Sequence, residues 1–411
     1  MKPPLDPDAQ SPRLTIVLAL LSTLGPFTID TFFPSMRAMA AEFGISYWQV
    51  QQTLTAYLIP YAFMSLVHGS LSDALGRRRV VIAGLQLYVL ASIGCALAPG
   101  FTALLVCRAL QGVVGGVGHI ISRAIVRDCY SGAQAQRVMS AITMVFSLGP
   151  ALAPVIGGWV HVWFGWRAVF AFMALYGLLL TWLVTRKLHE TLPESQRTPL
   201  HLGAIVGNTL AIARHTEFLR LTCASALCFI ALHTYIGAAP AIIFDHWHMN
   251  ETSFAALTLP IIGGYAIGAF FSGRLAGRLP PERQANIGYG MLLGTSSAML
   301  ALQLVADNPP IFLQQLLLAA TAIGLQLMFP IVTLRILDLF SDTRGTAASA
   351  HSFVSLMFAA IMMGALAPWF AVSMKRLAIN AFVVNLAGVL VWRSALRYRR
   401  RTHSSAGLCN S

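Results

Sequence analysis

Runs of about twenty apolar residues recur from one end of the chain to the other, and a helix of that length crosses the roughly 30 Å of hydrocarbon in a bilayer. Twelve such runs are placed, at residues 14–36, 50–71, 80–99, 101–122, 138–160, 166–185, 218–243, 254–273, 285–305, 310–334, 346–373 and 377–396. Charge is scarce throughout: 56% of residues are hydrophobic and 10% charged, and the mean hydropathy is +0.68, far from the soluble norm. Helices are the expected form, because an unpaired backbone group in lipid costs several kcal/mol and the alternating pattern of a membrane barrel is absent. The expected fold class is all-α integral membrane with twelve transmembrane helices. The tenth and eleventh runs are long enough to tilt or to break, at Pro330 and Pro368.

The net charge of +13 suggests nucleic acid until its placement is considered. Of the 28 lysines and arginines, all but Arg37, Arg108, Arg167, Lys375 and Arg376 fall in the tails, alternate loops or adjoining span ends, such as Arg220 and Arg393, that share one side of the membrane. This is the positive-inside pattern, so the expected orientation puts both termini in the cytoplasm, and the basic balance reports orientation, with no nucleic-acid partner. The first run contains Asp30, is too long for a secretion signal and lacks a small-residue cleavage site, so it is expected to stay in the mature chain. The six cysteines, Cys95, Cys107, Cys129, Cys223, Cys228 and Cys409, show no framework spacing and read as small apolar packers.

The longest polar interruption falls after six runs, with six more to follow. The expected organisation is a six-helix half over residues 1–186, a cytoplasmic linker over 187–217, and a second six-helix half over 218–411 with a basic tail. The loop after the second run reads GSLSDALGRRR (69–79), and its counterpart after the eighth, GRLAGRLPPER (273–283), repeats Gly69 and Leu71 as Gly273 and Leu275 but puts Gly277 where Asp73 would be. Two six-helix repeats related by an axis along the membrane normal are one known transporter architecture.

The pattern G-x-L-x-D-x-x-G-R-R-x, held by Gly69, Leu71, Asp73, Gly76, Arg77 and Arg78, resembles the loop signature of the major facilitator superfamily. RALQGVVGG from Arg108 is similar to the fourth-span motif R-x-x-Q-G of its drug:proton antiporters, and GPALAPVIGG (149–158) to their fifth-span motif. RAIVRD (123–128) and IDTFFP (29–34) resemble the bicyclomycin/chloramphenicol resistance branch, with Phe32 and Phe33 replacing the Tyr and Leu of its D-x-Y-L-P. The resemblance implies the major facilitator fold with two pseudo-symmetric halves. It also implies a monomeric, proton-coupled efflux antiporter of the bacterial inner membrane, exporting drugs or other small amphipathic compounds by alternating access. The alternative is a dedicated metabolite, nutrient or siderophore carrier of the same superfamily.

Charges within spans are expensive and usually functional. Every acid except Asp30 falls in a tail, a loop or a span end. Thr23, Pro26, Asp30, Phe33 and Arg37 share one helix face, a stripe suited to a cavity. Burial disfavours the charged form of a carboxyl, which suits Asp30 to carry a coupling proton; the bland alternative is a static partner for Arg37. Arg108 stays protonated and needs acceptors in the bundle; the family motif implies a part in proton transfer, and His119, on the same face, is a candidate member of the relay or a hydrogen-bonded packer.

In the loop signature, Gly69 and Gly76 would let helix ends turn tightly and approach closely. Asp73, Arg77, Arg78 and Asp128 are the candidate inner-gate charges, unless the arginines only set orientation. Gly149, Pro150, Pro154, Gly157 and Gly158 crowd the fifth span, where small residues allow close packing and prolines bend the helix; the family associates this bend with antiport. Phe32, Phe33, Tyr57, Tyr61, His233 and Tyr235 are candidates for the substrate wall, each with ordinary packing as the plainer role.

Enzyme chemistry finds no support. The nearest cluster, DHWH at 245–248, lies at an outer loop with no second set of ligands, so no metal is expected; no phosphate-cradling glycine loop occurs, so no nucleotide or other cofactor is expected. Some multidrug relatives carry a further carboxylate one or two turns before the aspartate, where Ser22 and Thr23 stand here. That favours neutral or singly charged cargo, such as amphenicols or bicyclomycin-like compounds.

Overall fold

The computed structural model describes residues 12–306, 309–340 and 343–408; Lys2, Asp6, Asp8, Asp307, Asp342 and Cys409 lie outside them. The described chain is helical, with short turns and no strand. Ten of its helices are long and apolar enough to cross a membrane, and an eleventh forms when Tyr47–Ser65 and His68–Leu75, bent by 54°, are counted as one. The fifth expected run lies within a further helix, Gly132–Phe164, of 33 residues.

Several spans are interrupted where their sequence lacks a backbone donor or a side chain. The first, Arg13–Phe43, breaks at Thr23 and again at Phe33–Ser35, beside Pro26 and Pro34. The fourth, Phe101–Cys129, changes helix at Gly115–Gly116. Of the two expected breaks, Pro330 is passed without one inside Ile311–Asp338, while a π-helical turn, Met362–Leu366, immediately precedes the helix containing Pro368. The second span starts at a capping box: Gln49 N–H donates to Ser46 Oγ and Ser46 N–H to Gln49 Oε1.

Contacts divide the chain into two compact units. One runs through Leu202 and includes Met249–Ala255; the other comprises Gly203–His248 and the chain from Ala256 onward. Within the first, the third span packs on the sixth, the second on the fourth, and the first on the fifth. In the second, the ninth span (Pro281–Val305) packs on the tenth and the seventh (Thr216–Gly237) on the twelfth, Met374–Leu408. The cysteines at 95, 107, 129, 223 and 228 are free thiols.

Candidate functional site

Asp30 ends the short helix Leu24–Asp30 and is buried, with 5% of its surface exposed. Among the described residues it forms no ion pair, and Arg37, its partner in the bland alternative, is exposed. The stripe that carries it is buried from Thr23 through Phe33. Thr23 is fixed by hydrogen bonds to Leu20 O (2.8 Å) and the Tyr176 hydroxyl (2.6 Å), and Phe27 stacks on the Tyr176 ring at 5.3 Å.

The fifth-span motif holds this stretch in place. Gly149 lies against Pro26, and Gly158 against Pro34 and the Glu251 carbonyl. A Cβ at Gly157 would collide with the Thr31 carbonyl oxygen, so only glycine fits there. Pro150 and Pro154 lie inside the same helix. Asp30 sits between the Pro26 and Thr31 contacts.

Arg108, fully buried in Phe101–Val114, meets no carboxylate among the described residues. Its guanidinium lies between two rings, 4.4 Å from the Phe32 centroid and 4.8 Å from that of Tyr57. Nε donates to Thr53 O (3.3 Å), and Nη1 to Thr28 O (3.1 Å) and Gln111 Oε1 (2.9 Å); Nη2 has no partner among the described residues. Gln111 in turn donates to Ser92 Oγ (2.8 Å), and the Thr28 and Tyr88 hydroxyls meet at 2.8 Å. Arg108 thus grips the first span at Thr28 and Phe32 and, among the described residues, forms no ion pair with Asp30.

His119 is not joined to Arg108 by a hydrogen bond. It lies past the Gly115–Gly116 change of helix, its ring packs on Phe146 with centroids 4.4 Å apart, and its buried Nδ1 has no partner among the described residues. The candidates for the substrate wall come from both units. Phe32, Phe33, Tyr57 and Tyr61 are buried in the first unit, where Phe32 and Tyr57 serve Arg108 and Tyr57 meets Tyr61 edge-on at 5.8 Å. His233 and Tyr235 lie in the second unit, His233 bonded to Phe229 O (2.8 Å) and stacked on the Phe229 ring.

The loop signature forms a connected charge cluster. The backbone turns at Gly76 with φ +98°, a conformation that favours glycine. Arg77, 7% exposed, reaches Asp73 (2.5 Å), Asp128 (3.1 Å) and Ser72 Oγ (2.5 Å). Gly69, by contrast, has nothing within 4 Å of where a Cβ would stand, so of the two glycines only Gly76 serves a tight approach. Glu190, which sequence reasoning left among the loop acids, completes the cluster: its carboxylate accepts from the backbone N–H of Arg77 (2.8 Å) and Arg78 (3.3 Å). It thereby caps a helix whose own N-cap is a glycine without a side chain. Arg78 donates to Leu188 O (2.8 Å) and Thr185 O (3.0 Å), Thr191 to Asp128 (3.2 Å), and Thr198 N–H to Asp73 O (3.3 Å). In the second unit an acid from the corresponding loop, Glu282, pairs with Arg335 and with Arg399 (3.5 Å). The DHWH stretch gathers no metal site; among the described residues no group of three metal-ligating side chains occurs.

A family profile, Major Facilitator Superfamily, matches residues 17–363. The chain belongs to the major facilitator superfamily. Among its relatives in the superfamily, the bicyclomycin resistance protein homolog of Haemophilus influenzae is 32% identical over 280 residues, which cover 66% of this chain and 68% of the relative. The chloramphenicol resistance protein of Pseudomonas aeruginosa is 30% identical over 264 residues, 64% of this chain and 60% of the relative. The matches thus span 68% and 60% of these relatives' own lengths, and both relatives are named for the resistances after which the branch resembled by RAIVRD and IDTFFP is called. The crystal structure of a peptide transporter, POT, shares the superfamily fold, with a TM-score of 0.72 at 17% identity over 93% of this chain and 95% of that one. The expected all-helical transporter fold and the multi-pass membrane location are thereby met.

Proposed function

We propose that this chain is a proton-coupled antiporter of a bacterial inner membrane, exporting drugs or other small amphipathic compounds by alternating access. Asp30 carries the proton. The observation behind this reading is a buried carboxylate with no cationic partner among the described residues, set in a broken stretch of the first span and wedged by the fifth-span glycines. A carboxylate already neutralised by an arginine has little reason to take up a proton; one buried without such a charge does, and gives the proton up when water reaches it. Relatives named for resistance to bicyclomycin and chloramphenicol support the cargo class, and the neutral Ser22 and Thr23 favour uncharged or singly charged compounds. Arg108 acts as a positioning residue, holding the Thr28 and Phe32 positions around Asp30. Asp73, Arg77, Arg78, Asp128 and Glu190 hold the cytoplasmic end closed and release it during the cycle.

The test uses inside-out vesicles with an acidified lumen and a pH-sensitive dye. Addition of an amphenicol or a bicyclomycin-type compound is expected to release protons in the wild type, and Asp30→Asn to abolish this while the protein reaches the membrane in normal amount. Release that survives Asp30→Asn would remove Asp30 from the proton path. Silence of folded wild type across neutral, cationic and anionic antibiotics would replace drug export with a dedicated metabolite carrier.

A further inference from the structure

The second unit holds a cleft of about 340 Å³ between the start of the seventh span and the twelfth. Arg220 enters it from the seventh; Leu390, Arg393, Ser394, Arg397 and Tyr398 line it from the twelfth. The spacing of those five residues, i, i+3, i+4, i+7 and i+8, puts them on one helix face. Three guanidinium groups therefore share one small cleft. Among the described residues none of the three forms an ion pair, and Glu217, one turn before Arg220, makes none with it. Arg393 and Arg397, four residues apart on a helix, repel each other, which is destabilising unless an anion lies between them. Arg220 is held in position rather than left free: its Nη1 donates to Ser394 O (3.2 Å) and its guanidinium lies 4.5 Å from the Tyr398 ring centroid.

The cleft also has an apolar side. Leu390, one turn from Arg393 toward the middle of the twelfth span, is 56% exposed. A ligand that satisfies both sides carries a phosphate next to hydrocarbon. Basic pockets between membrane helices are suited to such headgroups, and arginine presents a fork that matches phosphate oxygens. We propose that this cleft binds the headgroup of an anionic phospholipid, its phosphate set among Arg220, Arg393 and Arg397 and its acyl chain lying along Leu390. Inorganic phosphate offers the same oxygens without the chain.

The experiment titrates the detergent-purified full chain with phosphatidylglycerol, phosphatidylcholine or inorganic phosphate, and reads retained lipid by native mass spectrometry and unfolding temperature by intrinsic fluorescence. Phosphatidylglycerol is expected to be retained and to raise the unfolding temperature, with phosphatidylcholine and phosphate ineffective. In Arg393→Gln/Arg397→Gln the affinity is expected to fall roughly tenfold or more. Should that variant unfold, Arg397→Gln alone is read in the same titration. Equal retention by wild type and variant would overturn the site, equal retention of both lipids would overturn the headgroup charge, and stabilisation by phosphate alone would overturn the lipid as occupant.

Discussion

Arg108 brings a full charge into the fourth span, where two aromatic faces and three oxygens stand in place of a carboxylate. A buried charge without a counter-ion contributes little stability, and replacing it with an apolar side chain of similar volume is often neutral. Arg108→Met is therefore expected to unfold within a few degrees of wild type yet to lose at least tenfold in drug-driven proton release, since the stretch around Asp30 loses its grip. Arg108→Lys loses the fork and the ring stacking and is expected to fall similarly. Unfolding temperatures and vesicle exchange rates check both; retained exchange would make Arg108 a packing residue only. The composition of the spans was enough to single out Asp30 and Arg108, because so few charges occur there. That Arg108 would bond to the Thr28 carbonyl and lie against the Phe32 ring instead of pairing with Asp30 was not legible, because it depends on where the fourth span approaches. Glu190 was missed for a related reason: 113 residues separate it from the Arg77 backbone that it caps, and no local pattern marks it. Asp73→Asn, which leaves Arg77 with Asp128, and Glu190→Gln, which weakens the cap, are each expected to slow transport at normal protein levels. Unchanged rates in both would reduce the arginines to signals of orientation.

Among the elements, the fifth span shows how composition converts into contact. Its glycines are spaced so that Pro26 and the Thr31 carbonyl press directly on the helix backbone. Gly157→Ala pushes a methyl group into a backbone oxygen that cannot rotate away, an overpacking cost of about 1–3 kcal/mol, and is expected to lower both the unfolding temperature and transport. Gly263→Ala, where nothing lies within 4 Å, is the matched control and is expected to change neither. Elements were legible to within a few residues where a run ended in polar sequence. The internal breaks were not, since a proline can be accommodated as Pro330 is, and only the neighbouring helices decide which one interrupts its span.

For the molecule as a whole, the proposed orientation, which rests on the arginine distribution, has the Leu188–Leu202 stretch in the cytoplasm and Met249 outside. A green fluorescent protein fused after Leu202 is expected to fluoresce, and alkaline phosphatase fused after Met249 to be active; the reverse pattern would invert the topology. The division into two halves was plain from the central polar interruption, whose own affiliation was not. Residues 188–198 give the Leu188 carbonyl, the Glu190 carboxylate, the Thr191 hydroxyl and the Thr198 N–H to the loop at 73–78 and to Asp128, all in the first unit. That affiliation decides where the gene can be cut in two. Co-expressed pieces divided after Leu202 leave the first polypeptide with its Glu190 cap, and it is expected to accumulate in membranes. Division after Lys187 strands those residues on the other piece, and the first is expected to be degraded, as an immunoblot of the two membranes would reveal.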